Sequence, residues 1–411
     1  MNPDCMRKID RYVGIPVTFV ATLFWKGWRL FSRPKPQTPK RILFVELSEM
    51  GSTILADPAM RKARDHCKAE LFFVIFRKNR ASLKLLQTIP EENIFVINES
   101  GLGSIMIDVF RFWRWARRHR LDTAVDLELF SRFSALLCWL SGAVNLVGFY
   151  AFHDEGLYRG GFLSHRVAYN PHIHISKNFV ALVNALISPK PEFPYSKTVV
   201  SDAEIVLPVV QPSQLAILAM RAKVKSIMPH YDEAAHRLVL INPNSSELLP
   251  QRRWHPDNYL QLIRQVLARY SDVLVLITGA PSESAGASAL VSSVNHERCG
   301  NLTGHLILEE LPVLYTISAL MVTNDSGPGH FSAITRMPTM VLYGPETPKL
   351  YGSLGNAYSV YAGLACSPCV SATNHRKTGC TDNVCLQSIT PEMVLTIAQG
   401  ILDGHAFPQN R

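Results

Sequence analysis

Short apolar runs recur along the chain, each followed by a polar turn and then by a stretch with helical spacing. RILFVEL (41–47), AELFFVIF (69–76), IFVIN (94–98), TAVDLEL (123–129) and NLVGFY (145–150) read as strands. After the first, SEMGSTILADPA supplies a loop and a helix runs on to about residue 67; SRFSALLCWLSG is helical in pattern. Over 187–236 the pattern loosens into SPKPEFPYSK and a long polar helix. A second series then follows: HRLVLINPNSS (236–246), a helix at DNYLQLIRQVLARY, DVLVLITGAP (272–281), ISALMVT (317–323) and PTMVLYG (338–344). Strands alternating with helices predict parallel, doubly wound sheets. The expectation is an α/β chain of two Rossmann-like domains, 41–190 and 236–411, facing each other across a cleft. A linker region, 191–235, joins them, and a separate segment, 1–40, precedes them. In such sheets ligands bind beyond the carboxyl ends of the strands.

Composition leaves this picture intact, since 47% hydrophobic and 18% charged residues suit a globular chain of 411 residues. Charge adds something. The net +9 is concentrated in residues 1–40, where Arg7, Lys8, Arg11, Lys26, Arg29, Arg33, Lys35 and Lys40 face only Asp4 and Asp10. Between Arg11 and Lys26 lies YVGIPVTFVATLFW, too short to span a bilayer comfortably and without a signal-peptide cleavage site. Basic flanks at both ends predict a helix or shallow hairpin in the membrane surface, on its cytoplasmic side, with Trp25 and Trp28 at headgroup level. A buried domain helix is the alternative. RFWRWARRHR (111–120) reads either as a solvated helix face or as a contact to the same anionic surface. The basic excess sits beside an apolar segment and no nucleic-acid motif occurs, so a nucleic-acid partner is excluded.

The loops carry the chemistry. TNDSGPGHFSAI (323–334) places small and polar residues between two strands, offering Asp325, Ser326, Gly327, backbone N–H groups and His330. A Gly-containing loop at a strand's C-terminal end is a site for anions, typically phosphate, although a plain βα turn uses the same residue types. NPNSSELLPQRRW (242–254) offers Ser245 and Ser246, then Arg252 and Arg253; TGAPSE (278–283) offers Glu283. Hydroxyls and a guanidinium suit a diphosphate, and a carboxylate suits ribose or base hydroxyls. No D-x-D occurs, so neither a metal-bridged diphosphate nor a cofactor is expected. Cys366, Cys369, Cys380 and Cys385 form C-x2-C-x10-C-x4-C, only loosely like a zinc pattern; reduced thiols pinning a loop are expected, with structural zinc as the alternative.

TNDSGPGHFSAITRMPTMVLYGPETP resembles the signature of glycosyltransferase family 9, the ADP-heptose:lipopolysaccharide heptosyltransferases. The similarity continues in RILFVELSEMGSTILADPAM, in DLELFSRFSALLCWLSGAVNLVGF, in INPNSS and RRW, and in the tail CSPCV with CLQSITPEMV, covering about 41–400. The resemblance implies a GT-B fold with the nucleotide-sugar donor held by the C-terminal domain and the acceptor by the N-terminal one. It further implies that Asp325, Ser326, Gly327 and His330 hold the donor's diphosphate and sugar, and that Ser245 and Ser246 contact phosphate. Arg252 stands where the family usually has a Lys neutralising the leaving group, a swap that keeps charge but changes geometry. Glu283 lies near the nucleoside position. The family's first loop normally carries Gly-Asp, whose carboxylate is a candidate general base; here it is Gly51-Ser52. A hydroxyl is a poor base near neutral pH, so Glu49, with Asp57 as a further candidate, is expected to replace it. The implied activity is inverting, metal-independent transfer of a sugar, heptose by family default, to a lipopolysaccharide-core or related glycolipid at the cytoplasmic face of a bacterial inner membrane. The alternative is a non-catalytic sugar-nucleotide-binding relative attached to the membrane.

Overall fold

The computed structural model describes residues 3–31, 37–47, 49–152, 158–246, 249–372 and 374–405. Part of the Pro-rich linker, 32–36, lies outside them. The chain divides into two units, Met1–Val206 and Leu207–Arg411.

In the first unit α1 (Pro3–Tyr12) and α2 (Gly14–Phe31) precede β1 (Arg41–Val45), α3 (Met50–Cys67), β2 (Glu70–Phe76), α4 (Ala81–Leu86) and β3 (Ile94–Ile97). There follow α5 (Leu102–His119), β4 (Thr123–Asp126), α6 (Arg132–Leu140), β5 (Asn145–Phe149), β6 (His165–Val167) and α7 (Ile175–Ile187). The strands are parallel, in the order β3-β2-β1-β4-β5-β6. Strand alternation divides the side chains between two faces. Leu43, Val45, Phe72 and Val74 pack on one face with Ala21 of α2, Phe112 and Ala116 of α5, and Leu137 of α6. Their alternates Ile42, Phe44, Phe73 and Ile75 are equally buried, on the face where α3 and α7 lie together. The N-terminal helices are built into this unit. Asp10 Oδ1 accepts the N–H groups of Arg132 and Phe133 at 2.9 Å each, capping α6.

The loop predicted over SEMGSTILADPA is instead the start of α3. Gly51, Ser52 and Pro58 are turn formers by type. However, Ile54, Leu55, Ala56, Ala59 and Met60 are buried, and that burial outweighs local preference.

The second unit carries α8 (Gln214–Ile227), β7 (Arg237–Asn242), α9 (Pro256–Arg269), β8 (Val273–Ile277), α10 (Ser284–Val294), β9 (Cys299–Asn301) and α11 (Leu311–Thr316). It continues through β10 (Leu320–Asn324), α12 (Gly327–Ser332), β11 (Thr339–Tyr343), α13 (Pro348–Tyr351), β12 (Ala357–Tyr361), α14 (Val384–Gln387) and α15 (Pro391–Leu402). The order β12-β11-β10-β7-β8-β9, all parallel, repeats the first sheet's winding. Strand order therefore reverses between β1 and β4 in one sheet and between β7 and β10 in the other. Loops leaving strands at such a reversal splay apart and open a crevice. Among the described residues, no helix is long and apolar enough to cross a membrane.

Candidate functional site

The reversal point of the second sheet collects most of the residues singled out in the sequence. Ser245, Ser246 and Arg252 lie on the loop after β7, and Asp325 to His330 follow β10. Asn324 ties the two loops together. Fully buried, its side-chain amide donates to the carbonyls of Pro243 (2.9 Å) and Asn244 (3.3 Å). Its Oδ1 accepts the backbone N–H of Trp254 (3.0 Å) and the hydroxyl of Tyr259 (2.9 Å). Trp254, itself buried, donates its indole N–H to Ile389 O at 2.8 Å. The tail braces the same loop from outside: Gln251 Nε2 donates to Cys380 O, and Asn383 Nδ2 donates to the carbonyls of Gln251 and Arg253.

This frame holds Arg252 in a short 3-10 turn with its guanidinium among carboxylates. Nε lies 3.2 Å from Asp325 Oδ2, and NH2 bonds Glu346 Oε2. Glu346 also meets Arg376 Nε at 3.5 Å. Both acids are buried, with side chains 5% and 2% exposed, so each depends on its cationic partner to remain charged. Burial raises the Asp325 carboxyl above its ordinary value, and the Arg252 charge pulls it part of the way back. On the same loop as Arg252 the Ser245 hydroxyl is buried and has no hydrogen-bond partner among the described residues. A buried hydroxyl that the fold does not satisfy is suited to an incoming acceptor such as a phosphate oxygen.

Ser326 begins α12 in extended backbone, its Oγ 3.2 Å from Asn324 O, with Gly327 as the first helical residue. Gly329 presses the helix onto β11, where a Cβ would lie 3.0 Å from Ser353 Oγ and 3.2 Å from Val341. His330 is nine-tenths buried on the same short helix. Glu283 turns back on its own loop, accepting the Ala280 N–H at 2.6 Å, against the Gly279 turn that Asn244 also approaches. Ser246 is exposed next to Ser245.

In the first unit Glu49 precedes α3, and Ser52 Oγ donates to its Oε2 at 3.4 Å. Gly51 and Ser52 lie in the first turn of α3, so they belong to a helix start and not to an open loop. Asp57 is no base for an acceptor. It is fully buried in α3, accepting from Arg61 Nε at 2.8 Å and from the Thr88 hydroxyl. At the first sheet's reversal, Asp126 is paired with Arg159 and Ser134; burial pushes its carboxyl up to about 6 against the pull of Arg159.

Glu346 and Arg376 were missed in the sequence, and Asn324 was read only as part of the TNDSG turn, not as its brace. Only Glu346 left a signal, as the acid closing YGPE after β11, a strand adjoining the reversal. All eight cysteines are free thiols. Among the described residues no three of His, Cys, Asp and Glu assemble as a metal site.

The profile of glycosyltransferase family 9 (heptosyltransferase) matches residues 109–378. The lipopolysaccharide heptosyltransferase 2 of Salmonella typhimurium is 34% identical over 106 residues, which are 25% of this chain and 30% of that protein. The matched segment thus spans under a third of that relative's length. Among solved structures, the ADP-heptose LPS heptosyltransferase II of E. coli superposes with a TM-score of 0.66 at 20% identity, over 88% of this chain and 98% of that one. The glycosyl transferase family 9 protein of Veillonella parvula gives 0.68 at 18% identity, over 90% and 99%. The shared architecture is GT-B, two Rossmann-like doubly wound domains. With its profile matched over more than half its length on that fold, the chain belongs to glycosyltransferase family 9.

Proposed function

We propose that the chain transfers heptose from an ADP-heptose-like donor to a lipopolysaccharide-core or related glycolipid, at the cytoplasmic face of a bacterial inner membrane. The observation that carries this reading is Arg252 held against Asp325, with the Ser245 hydroxyl, unbonded among the described residues, on the same loop as Arg252 at the reversal point of the second sheet. A guanidinium there meets a diphosphate with paired N–H donors. The names of the Salmonella typhimurium and E. coli proteins, both lipopolysaccharide heptosyltransferases, support the sugar and the acceptor class.

In the proposed reaction the acceptor hydroxyl attacks the anomeric carbon and its proton passes to the Glu49 carboxylate. The anomeric C–O bond to the β-phosphate breaks, and its electron pair stays on the diphosphate oxygen. Arg252 neutralises that developing charge, assisted by Ser245, Ser246 and the Ser326–Gly327 turn. Asp325 and His330 hold the sugar and diphosphate, and Glu283 faces the nucleoside. Attack opposite the leaving group inverts the anomeric centre. No metal is required if the arginine carries this load.

A second reading, sugar-nucleotide binding without transfer, is favoured by one observation: of Glu49 and Asp57, the two candidates to replace the family's aspartate, Asp57 is buried and paired. Incubating the purified chain with ADP-heptose and a heptose-deficient lipopolysaccharide core, with mass spectrometry of the product, separates the two. Transfer by the natural chain that falls at least a hundredfold in Glu49→Gln supports the first reading. Donor binding without transfer supports the second. Full transfer by Glu49→Gln removes Glu49 as the base.

A further inference from the structure

Helix α2 is turned inside out. The side it presents to its own unit carries Thr18, Ala21 and Thr22, all buried. The threonine hydroxyls are satisfied locally, Thr18 Oγ1 by Gly14 O and Thr22 Oγ1 by Thr18 O, each at 2.7 Å. Thr22 also accepts the N–H of Gly161 at 2.8 Å, which fixes the helix in place. Its outer side bears Val17, Phe19, Val20, Leu23, Phe24 and Trp28, between 44% and 71% exposed. A water-facing surface of this kind is far more apolar than a lone globular unit needs.

Helix α5 has the same character. Phe112 and Ala116 point into the core, while Met106, Phe110 and Trp113 form an outward stripe at helical spacing, 73%, 58% and 40% exposed. The neighbouring stripe runs Ile107, Arg111, Arg114, Arg118, and Arg117 extends the first. Both α2 and α5 pack against α6 and contribute to the core on one face of the sheet, so their outer sides look away from the sheet in the same direction. The acids of α1 and α5 are already committed: Asp4 to Arg7, Asp10 to Arg132 and Asp108 to Arg111. Lys8 and Arg11 on α1, Lys26 on α2 and Arg114, Arg117 and Arg118 on α5 leave a positive surplus on these helices.

We propose that α2 and α5 form one two-part surface that seats the first unit on an anionic lipid leaflet, apolar side chains entering the headgroup–acyl boundary and arginines pairing with lipid phosphates. The inference is independent of the transferase reading. Charge selects the occupant. A second copy meeting this face by two-fold symmetry sets arginine against arginine, whereas an anionic leaflet supplies the opposite sign. Among the described residues no helix is long and apolar enough to cross a membrane, and the proposal places both helices in the interface.

Sedimentation of the full chain with phosphatidylglycerol/phosphatidylethanolamine vesicles, against neutral phosphatidylcholine vesicles, tests this. Each basic side chain near an anionic leaflet is worth about fivefold in partitioning. Arg114→Gln with Arg118→Gln therefore lowers binding about 25-fold, and Met106→Ser with Phe110→Ser lowers it at least tenfold while α2 stays intact. All four sites are exposed, and unchanged circular dichroism confirms the fold. Quenching of tryptophan emission by brominated lipid is reduced in Trp113→Phe. Equal binding to neutral and anionic vesicles, or either double variant binding like the natural chain, overturns the proposal. So does a concentration-dependent dimer that Phe110→Ser dissociates, because the face then belongs to a second copy.

Discussion

Among the described residues, replacing Arg252 by Met removes the one cation that Asp325 touches and leaves Glu346 with Arg376 alone, at 3.5 Å. The methionine fills much of the arginine's stem but cannot answer either carboxylate. Breaking a buried ion pair on one side costs about 3–5 kcal/mol, because the remaining charge stays out of water. With Arg252 only 14% exposed and both acids nearly inaccessible, the full range applies, with little relief from solvent. For a unit of this size a kcal/mol moves the melting midpoint about 2–4 °C, so the second unit's transition falls about 6–20 °C. Calorimetry of the whole chain reads this. The mechanism adds a sign. Burial already raises the Asp325 carboxyl and Arg252 lowers it. Without the arginine it rises further, protonation relieves the buried charge, and the variant regains stability as pH falls through that raised value. Asp325→Asn in the Met background restores much of the loss at neutral pH. A variant melting within 2 °C of the natural chain, or losing further stability on mild acidification, refutes the reasoning.

Asn324→Leu removes the side-chain bonds joining the loops after β7 and β10 and strands the Trp254 N–H and Tyr259 hydroxyl; unfolding titrations should show a loss of about 2–5 kcal/mol. Asp126, with its carboxyl near 6 when folded, binds its proton more tightly in the native state, so its contribution to stability is full below pH 4 and is lost as pH rises towards and through 6, by about 1.4 kcal/mol per unit. Urea midpoints of Asp126→Asn against the natural chain should therefore differ in slope between pH 4 and 6 and run parallel above 7. Arg252→Lys keeps one charge but cannot span Asp325 and Glu346 together; transfer assays should show at least a tenfold loss with the fold retained, and full activity there denies the bridging role.

The central strands were legible because continuous Val, Ile, Leu and Phe runs buried on both faces have few other readings, as in RILFV and VLVLI. Three strands were not. HRV, CGN and AYSVY are short or half-buried and lie at the ends of their sheets, where one neighbour is absent and composition is not forced. The start of α3 was hidden because Gly51, Ser52 and Pro58 signal a turn locally, while the core that overrides them is built from distant segments. Loop residues at the second reversal could be named from strand order and residue type alone. Their bridging partners could not: Asn324 resembles any βα-turn asparagine until the Trp254 and Tyr259 that need it are in place, and Arg376 reaches Glu346 from a tail thirty positions away.

Whether a pyrophosphate occupies that reversal point is settled most directly by calorimetric titration of ADP-heptose into the natural chain and into Ser245→Ala. No described residue bonds this hydroxyl, so the variant keeps its melting midpoint. Loss of a hydrogen bond to a charged phosphate, about 1.5–3 kcal/mol, weakens binding by roughly 10- to 150-fold. Equal affinity in the two proteins contradicts the account.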